Sequence, residues 1–345
     1  MITGEKFVTR EVLNMNRQLT VGGRDAYFDN AKALLIISVV FGHTLSGMLG
    51  ETRWMDSLYF FIYTFHMPAF IFVTGYYAKV LRTKKDWWKL MKSVVLPYIV
   101  FQYAYSYYYL YVLDLNVEVN FASSPRWGLW FLVSLFCWRL MLPLFNRSKW
   151  MIVAALVLAL AAGYVPFISG TYSLSRTLFF FVFFIAGYHL SIDSLKAMGM
   201  KAKILGGAAL AALFMGIYFF ANLSWKSWFF GHRPYAQLSA FLVEDGMINR
   251  LLVYAFCAFA TTAFLAIVPK QKFGWTVIGQ RTMAIYIFHL GMIQTFRTMD
   301  VYDELLAGGH YYVFLLFAVL TVVIFAHPVF SKLIQGDFIK RKKVV

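Results

Sequence analysis

Residues 29–49 read DNAKALLIISVVFGHTLSGML. Apolar side chains fill this stretch almost throughout, and its length is about that needed for a helix to cross the hydrocarbon core of a bilayer. Two ionisable residues interrupt it, Lys32 near its start and His43 deep inside. They lie roughly 16 Å apart along a helix that rises about 1.5 Å per residue. The stretch therefore predicts a membrane-spanning helix with a cation near one membrane face and an imidazole inside the bilayer.

Two interpretations of these ionisable residues are open. Lys32 either takes part in a site or extends its ammonium group to the interface, as lysines near helix ends do. His43 is either a reactive group or a hydrogen-bonding residue between helices. Ionisable groups at membrane depth are costly and usually functional, which favours a functional role for His43.

The composition of the whole chain is that of a membrane protein. Of its 345 residues, 61% are hydrophobic and only 14% are charged, whereas soluble domains carry about a quarter charged residues. Ten apolar segments follow one another, and the fifth and sixth are short for spanning a bilayer. They are 28–49, 57–78, 93–113, 127–145, 151–168, 176–192, 202–222, 248–268, 277–297 and 311–334. This pattern predicts an all-α fold, a polytopic transmembrane bundle of about ten helices.

Basic residues predict the orientation of the bundle. With a cytoplasmic N-terminus, 22 of the 32 Lys and Arg residues fall in inside segments and 7 fall outside. This division follows the positive-inside rule and predicts that both termini are cytoplasmic. It also accounts for the formal charge of +16 without a nucleic-acid partner.

The same pattern predicts three parts of the chain. Residues 1–27 form a cytoplasmic N-terminal segment, 28–336 a single transmembrane domain, and 337–345 a basic cytoplasmic tail. The first 26 residues are polar and basic without an apolar core, so we expect no cleavable signal peptide. Cys137 and Cys257 stand in apolar runs and are interpreted as core residues, and no metal-ligand spacing is present.

Three histidines are predicted at similar depth in the bilayer. His43 belongs to the first helix, His66 to the second within FHMPAFIFVTGYY, and His289 to the ninth within GQRTMAIYIFHL. An imidazole can take up and return a proton near neutral pH, which suits the deprotonation of an alcohol. The chain contains no GxSxG, HExxH or Gly-rich phosphate loop, so hydrolase, zinc-protease and P-loop functions lack support.

Two loops carry residues that suit ligand binding, and each also has a simpler explanation. The predicted cytoplasmic loop 79–92 holds six basic residues and one acid, Asp86. It either binds a polyphosphate donor or contacts anionic lipid. The predicted outer loop 223–247 contains Trp228, His232 and Arg233. These residues either bind a sugar or form part of an interfacial aromatic belt.

Four motifs of the chain resemble those of the acyltransferase-3 superfamily of integral membrane acyltransferases, and specifically its fucose 4-O-acetylase-like branch. The first motif is a basic residue followed after ten residues by His, as in Lys32 and His43. The second, FHMPxFxFxxGY, matches from Phe65 onward. The later motifs are LWFL at 129–132, which includes Trp130, and a GxxxMAIYxxH pattern that ends at His289 and includes Tyr286. Many members also carry a paired-arginine RxxR element, at which this chain has Lys89 and Lys92.

The resemblance implies an O-acyltransferase of the bacterial plasma membrane. It moves an acyl group, usually acetyl from cytoplasmic acetyl-CoA, to a hydroxyl of a cell-surface or exported carbohydrate. His43 is then the catalytic base, and His66 and His289 are catalytic or orienting groups. We expect donor binding by Lys32, Lys89 and Lys92 of the motifs and by Arg82 of the basic loop. We expect acceptor binding by Trp130 and Tyr286 of the motifs and by Trp228, His232 and Arg233 of the predicted outer loop. Acyl-CoA is a substrate here, and no permanently bound cofactor is expected.

A transporter or flippase of a lipid-linked glycan is the alternative function. Ten helices with buried polar residues are compatible with it. Such proteins show internal repeats and paired Gly- or Pro-broken helices, which this sequence lacks.

Overall fold

The computed structural model describes residues 25–117, 119, 125–193, 196, 199–239 and 241–335. Within these residues the chain forms α-helices joined by short 3-10 and π turns. The helices are α1 (Ala26–Leu45), α2 (Arg53–Tyr76), α3 (Lys84–Leu90), α4 (Leu96–Tyr111), α5 (Trp130–Phe145), α6 (Met151–Ala162), α7 (Leu174–His189), α8 (Met200–Phe220), α9 (Lys226–Phe230), α10 (Gly246–Ile267), α11 (Thr276–Gln280), α12 (Thr282–Arg297), α13 (Asp300–Ala307), α14 (Tyr311–Phe325) and α15 (Pro328–Gln335).

The helices confirm the predicted all-α membrane bundle. In the described part of the chain, 6 helices are long and apolar enough to cross a bilayer. Helices α14 and α15 are bent by 63° relative to each other, and if this pair is one span the number of spans is 7. Every predicted segment contains a helix, but those of α4, α6 and α12 have only 16, 12 and 16 residues. A 3-10 turn before α7 lengthens the sixth segment to 19 residues. The orientation of the termini stays a prediction.

The predicted terminal segments fall mostly beyond these helices. Residues 1–24 of the N-terminal segment and the predicted tail at 337–345 lie outside the described residues. Their assignment to the cytoplasm therefore stays a prediction as well.

Helix α2 forms the centre of the bundle and packs against α1, α7, α8 and α10. Its crossing with α7 depends on Gly75 and Gly187. A Cβ atom on Gly75 would lie 2.0 Å from the carbonyl oxygen of Phe184, and one on Gly187 would lie 1.9 Å from that of Phe72. Small residues allow backbones to approach this closely in membrane bundles. The two glycines therefore bring α2 and α7 into direct backbone contact.

Buried side-chain donors tie neighbouring helices together. Each donates to a backbone carbonyl of another helix, so the polar group is satisfied inside the apolar bundle. These bonds are Tyr27 to Leu265 at 2.7 Å, Tyr105 to Ile287 at 2.6 Å, Trp138 to Thr177 at 2.7 Å and Tyr254 to Phe179 at 2.8 Å. They fix the positions of α1, α4, α5, α7, α10 and α12 relative to one another.

Each of the two loops with ligand-binding residues contains a short helix. The basic loop 79–92 forms α3, whose first turn has a capping box between Thr83 and Asp86. The other loop forms α9, which ends at Gly231 with φ +60. A Cβ atom on Gly231 would lie 2.5 Å from the ring of Phe179, so glycine suits this position for space as well as for backbone conformation.

Candidate active site

The structure brings the three predicted histidines together inside the bundle. The rings of His43 on α1 and His289 on α12 have centroids 5.3 Å apart. His66 on α2 lines the same cavity as His43. His66 and His289 are buried, and His43 is half-buried at the cavity wall. Three helices that are distant in sequence thus supply one imidazole each to a common site.

Hydrogen bonds to the backbone indicate the tautomers of two of these histidines. The Nδ1 atom of His66 lies 2.8 Å from the carbonyl oxygen of Ile62, and that of His289 lies 2.9 Å from the carbonyl oxygen of Ile285. A carbonyl only accepts, so each Nδ1 carries the hydrogen and, in the neutral ring, each Nε2 has a free lone pair. The Nε2 of His289 is buried and has no partner in the described part of the chain. A proton acceptor is therefore available beside His43.

A small cavity of about 40 Å³ lies against the imidazoles of His43 and His66, and His289 lies behind His43. A cavity of this size holds only a few water molecules. Aromatic residues of α2, α5, α7 and α9 form most of its wall. Its lining residues are His43, Tyr63, His66, Met67, Trp130, Arg176, Phe180, Phe229 and Phe230. The site is thus narrow and lined mostly by aromatic side chains.

Arg297 and Trp127 hold the end of α1 that carries His43. The Nη2 atom of Arg297 donates to the carbonyl oxygen of His43 at 2.7 Å and to the Ser46 hydroxyl at 2.9 Å. Its guanidinium lies 4.8 Å from the Trp127 ring, which stacks on His43 at 5.8 Å. Trp127 has φ 39, an uncommon conformation for a bulky residue. The orientation of His43 is therefore set from both its backbone and its ring.

Two further cations lie over aromatic rings at the same end of the bundle. The guanidinium of Arg176 lies 5.3 Å from the ring centre of Trp130 and 5.6 Å from that of Phe230. The Lys226 ammonium lies 5.9 Å from the rings of Phe230 and Tyr59. In the sequence, Arg176, Lys226 and Arg297 are among the 7 basic residues predicted on the outer side, and no motif marks them as site residues. We call Arg176, Lys226 and Arg297 the cation cluster.

The nearby loop histidine does not add to this charge. Burial, followed by the positive charges of Arg176, Arg233 and Lys226, lowers the pKa of His232 to about 4. His232 is therefore neutral near pH 7, and the charge at this end of the cavity comes from the cluster itself.

Two of the predicted acceptor-binding residues lie at the histidines. Trp130 lines the cavity. Tyr286 has its ring centre 6.3 Å from that of His289, and its hydroxyl donates to the carbonyl oxygen of Gly128. The Tyr286 hydroxyl is thus engaged with the backbone, whereas the Trp130 ring faces the cavity.

The other three predicted acceptor-binding residues do not line the cavity. Trp228 is buried, and its indole N–H donates to the carbonyl oxygen of Ser239 at 2.9 Å. Arg233 is exposed and donates through Nε to His232 Nε2 at 3.2 Å. Their contact with an acceptor stays a prediction.

The predicted donor-binding residues lie toward the other end of α1. The ammonium of Lys32 is 2.7 Å from a carboxylate oxygen of Asp29, whose other oxygen accepts from the Gln280 amide at 3.0 Å. Arg82, Lys89 and Lys92 are exposed, on or beside α3. Lys32 is therefore tied locally by one carboxylate, and the loop cations are open to solvent.

Comparisons with known proteins identify the family. The acyltransferase-3 family model, described as an acyltransferase domain, matches residues 25–327. Nodulation protein NolL of Sinorhizobium fredii is 27% identical over 306 residues, which cover 76% of each chain. The NolL protein of Mesorhizobium japonicum is 27% identical over 169 residues, 41% of this chain and 42% of that protein.

The finer classification has less support. No solved structure matches the chain, and assignment to the fucose 4-O-acetylase-like branch stays a prediction. The family model nevertheless covers most of the sequence, including all three histidines. The protein therefore belongs to the acyltransferase-3 family and is a multi-pass membrane acyltransferase.

Proposed function

We propose that the protein transfers an acyl group, acetyl in the simplest case, from cytoplasmic acyl-CoA to a hydroxyl of an exported or cell-surface carbohydrate, in a bacterial plasma membrane. The observation that carries this proposal is the pair formed by His43, which lines the cavity, and the neighbouring His289, whose Nε2 has no partner among the described residues. Proton transfer by a positioned imidazole is what the attack of an alcohol on a thioester requires.

His43 acts as the general base in this reaction. The acceptor hydroxyl gives its proton to the imidazole while its oxygen forms a bond to the thioester carbon. The C–S bond then breaks, and the imidazolium returns the proton to the departing thiolate. The products are an ester and free CoA, so atoms and charges balance without a covalent acyl-enzyme intermediate.

His289 and Arg297 position this base. The lone pair of His289 Nε2 lies beside His43 and favours an orientation in which His43 offers it a hydrogen. Arg297 fixes the backbone of His43 through its carbonyl oxygen. Precise placement of a reacting group supplies a large share of enzymatic rate enhancement.

Donor and acceptor approach this base from different directions. Lys32 and the cations of α3 suit the phosphates of CoA, which form charge-assisted hydrogen bonds with basic side chains. The distance of roughly 16 Å from Lys32 to His43 along α1 suits the extended pantetheine arm. Trp130 lines the cavity and packs against Phe180 and Arg176, and we expect it to shape the place where the acceptor enters. Membership of an acyltransferase family also favours a transferase over a transporter.

Substitution of His43 tests the proposal. We expect His43→Ala to remain folded and to bind acetyl-CoA, yet to lose about 10² to 10⁴ in transfer rate, the usual contribution of a general base. This loss corresponds to roughly 3 to 5 kcal/mol of transition-state stabilisation. The measurement is transfer of labelled acetyl from acetyl-CoA to a carbohydrate acceptor by the purified protein in nanodiscs.

Variants of three other histidines are compared with His43→Ala. His310 is exposed and lies outside the cavity, so His310→Ala should transfer acetyl like the parent. His66→Ala and His289→Ala should lose less than His43→Ala if they only orient groups. Transfer at the parental rate by His43→Ala would refute the mechanism, and a larger loss at His66 or His289 would assign the base there.

A further inference from the structure

Among the described residues, the cation cluster has no carboxylate partner. Ion pairs of the described residues join Lys32 to Asp29 and Lys196 to Asp25, and no carboxylate in this part of the chain lies within 4.0 Å of a cluster nitrogen. The Nε of Arg297 is also buried without a hydrogen-bond partner. Three positive groups thus lie at one end of the bundle, and no carboxylate of the described residues pairs with them.

Aromatic contacts alone do not balance these charges. A cation over a ring gains about 0.5 to 2 kcal/mol from the ring quadrupole. Removing a charge from water costs several kcal/mol even after the protein relaxes. The three side chains are half-buried, and a cleft lined by charges of one sign attracts ligands of the opposite sign. The rings around Arg176 and Lys226 therefore hold the cations in place and leave their charge available to an anion.

Arg176 connects this charge to the reaction site. Its side chain lines the same cavity as His43, and Trp130 and Phe230, over which it lies, also line that cavity. The backbone just before α7 is strained, since Tyr172 and Ser173 have φ 53 and φ 56. Such strain persists where the surrounding fold imposes it and is common at ligand sites. An anion held by Arg176 would therefore lie beside the hydroxyl that His43 activates.

We propose that the cation cluster binds an anionic substituent, a carboxylate or a phosphate, on the carbohydrate acceptor. Arg176 contacts the anion directly, because its guanidinium offers several donors in a plane that matches carboxylate and phosphate oxygens. Lys226 and Arg297 add positive potential around the same volume. This inference rests on the proposed function insofar as the bound carbohydrate is the acyl acceptor, and it makes that acceptor an acidic sugar.

Matched sugar probes test the inference. Methyl β-D-glucuronide, methyl β-D-glucoside and methyl β-D-glucoside 6-phosphate differ in the substituent at one carbon. Their binding to the purified full chain in nanodiscs is measured by saturation-transfer NMR without acetyl-CoA, and acetyl transfer to each is measured separately. We expect the parent to bind at least one anionic sugar about tenfold more tightly than the glucoside, as one charged hydrogen bond typically provides. Whether glucuronide or phosphate binds better tells which anion the cluster prefers.

Substitution of Arg176 supplies the matched control. Arg176→Gln removes the charge and should abolish the preference, whereas Arg176→Lys retains the charge and should preserve most of it. If Arg176→Gln does not fold, Lys226→Gln on the short helix α9 should lower the preference about threefold, since it removes one charge of the cluster. Folding of each variant is checked by size-exclusion chromatography and thermal unfolding.

The outcomes separate this inference from the proposed function. Equal binding of glucoside and both anionic sugars by the parent would overturn the inference, even if acetyl is transferred. A preference that is unchanged in Arg176→Gln, or a variant that raises only the KM for acetyl-CoA, would also overturn it. An Arg176-dependent preference without transfer to any sugar would support anion binding and refute the carbohydrate acyltransferase proposal.

Discussion

At the scale of single residues, the ion pair of Lys32 leaves the side chain able to bind the proposed donor. Its ammonium is bound to Asp29 at 2.7 Å, but the side chain is 28% exposed. An ammonium has three hydrogens to donate, so one carboxylate does not exhaust it. The Asp29 carboxylate in turn keeps its hydrogen bond from Gln280 when Lys32 is replaced. Loss of Lys32 should therefore affect donor binding more than folding.

We expect Lys32→Ala to raise the KM for acetyl-CoA and to make its binding less sensitive to salt, because one phosphate contact is lost. The measurement is donor titration at low and high ionic strength. Lys201 is exposed on the first turn of α8, so Lys201→Ala is a matched control that should behave like the parent. Binding of acetyl-CoA by Lys32→Ala with parental affinity would show that this lysine does not contact the donor.

The sequence identified the histidines but not the residues that surround them. His43, His66 and His289 were visible because ionisable groups are rare within apolar segments. Arg297 contacts the backbone of His43 across 254 positions, and no sequence spacing indicates such a contact. Arg176 stands at the edge of its segment, where a basic residue is equally explained by topology.

At the scale of helices, the crossing of α2 and α7 determines how the cavity is built. Met67 and His66 come from α2, and Arg176 and Phe180 come from α7. The backbones touch where Gly187 meets the carbonyl oxygen of Phe72. Any side chain at Gly187 would have to push the helices apart and would widen the space between their cavity residues.

We expect Gly187→Ala to destabilise the protein by about 1 to 3 kcal/mol, the usual cost of overpacking. The readout is the thermal unfolding midpoint in detergent. Gly216 lies in the interior of α8, and a Cβ atom there meets nothing within 4 Å. Gly216→Ala should therefore be neutral or stabilising through helix propensity. A Gly187→Ala midpoint at or above that of the parent would show that the crossing tolerates a side chain.

The apolar segments of the sequence predict that the helices exist but not how they bend. The tenth segment reads as one span, but the structure bends it by 63° between α14 and α15, just before Pro328. A hydropathy pattern reports composition and is insensitive to such a bend. Helix α3 was interpreted only as a charged loop, although Thr83 and Asp86 have the spacing of a capping box.

At the scale of the whole molecule, the division of basic residues predicts that the chemistry connects two compartments. Lys32 and α3 lie toward the predicted cytoplasmic face, and the cation cluster lies toward the opposite face. Composition and the succession of long apolar segments together predict the fold class, because apolar segments of this length cross a bilayer as helices. The orientation depends on charge counts and has a direct test.

Cysteine labelling with an impermeant reagent in intact cells tests the orientation. A cysteine at Ser224, in the predicted outer loop, should react from outside, and one at Lys85, on α3, should react only after the membrane is opened. Lys85 is exposed and follows the capping residue Thr83, so a cysteine at position 85 leaves the capping box of α3 intact. The parent controls for background, since Cys257 is buried and Cys137 is half-buried in α5. The reverse labelling pattern would refute a cytoplasmic N-terminus.

Arg297 has a consequence for the mobility of His43. The last turn of a helix usually frays because its carbonyl groups lack partners. The His43 carbonyl lacks a backbone partner, since the Gly47 amide bonds to Thr44 instead, and it accepts from the Ser46 hydroxyl at 2.8 Å and from Arg297. The imidazole thus stands on an end turn whose carbonyl group is held by two side-chain donors. Its conformational freedom is lost when the protein folds, so little remains to be lost when an acceptor arrives.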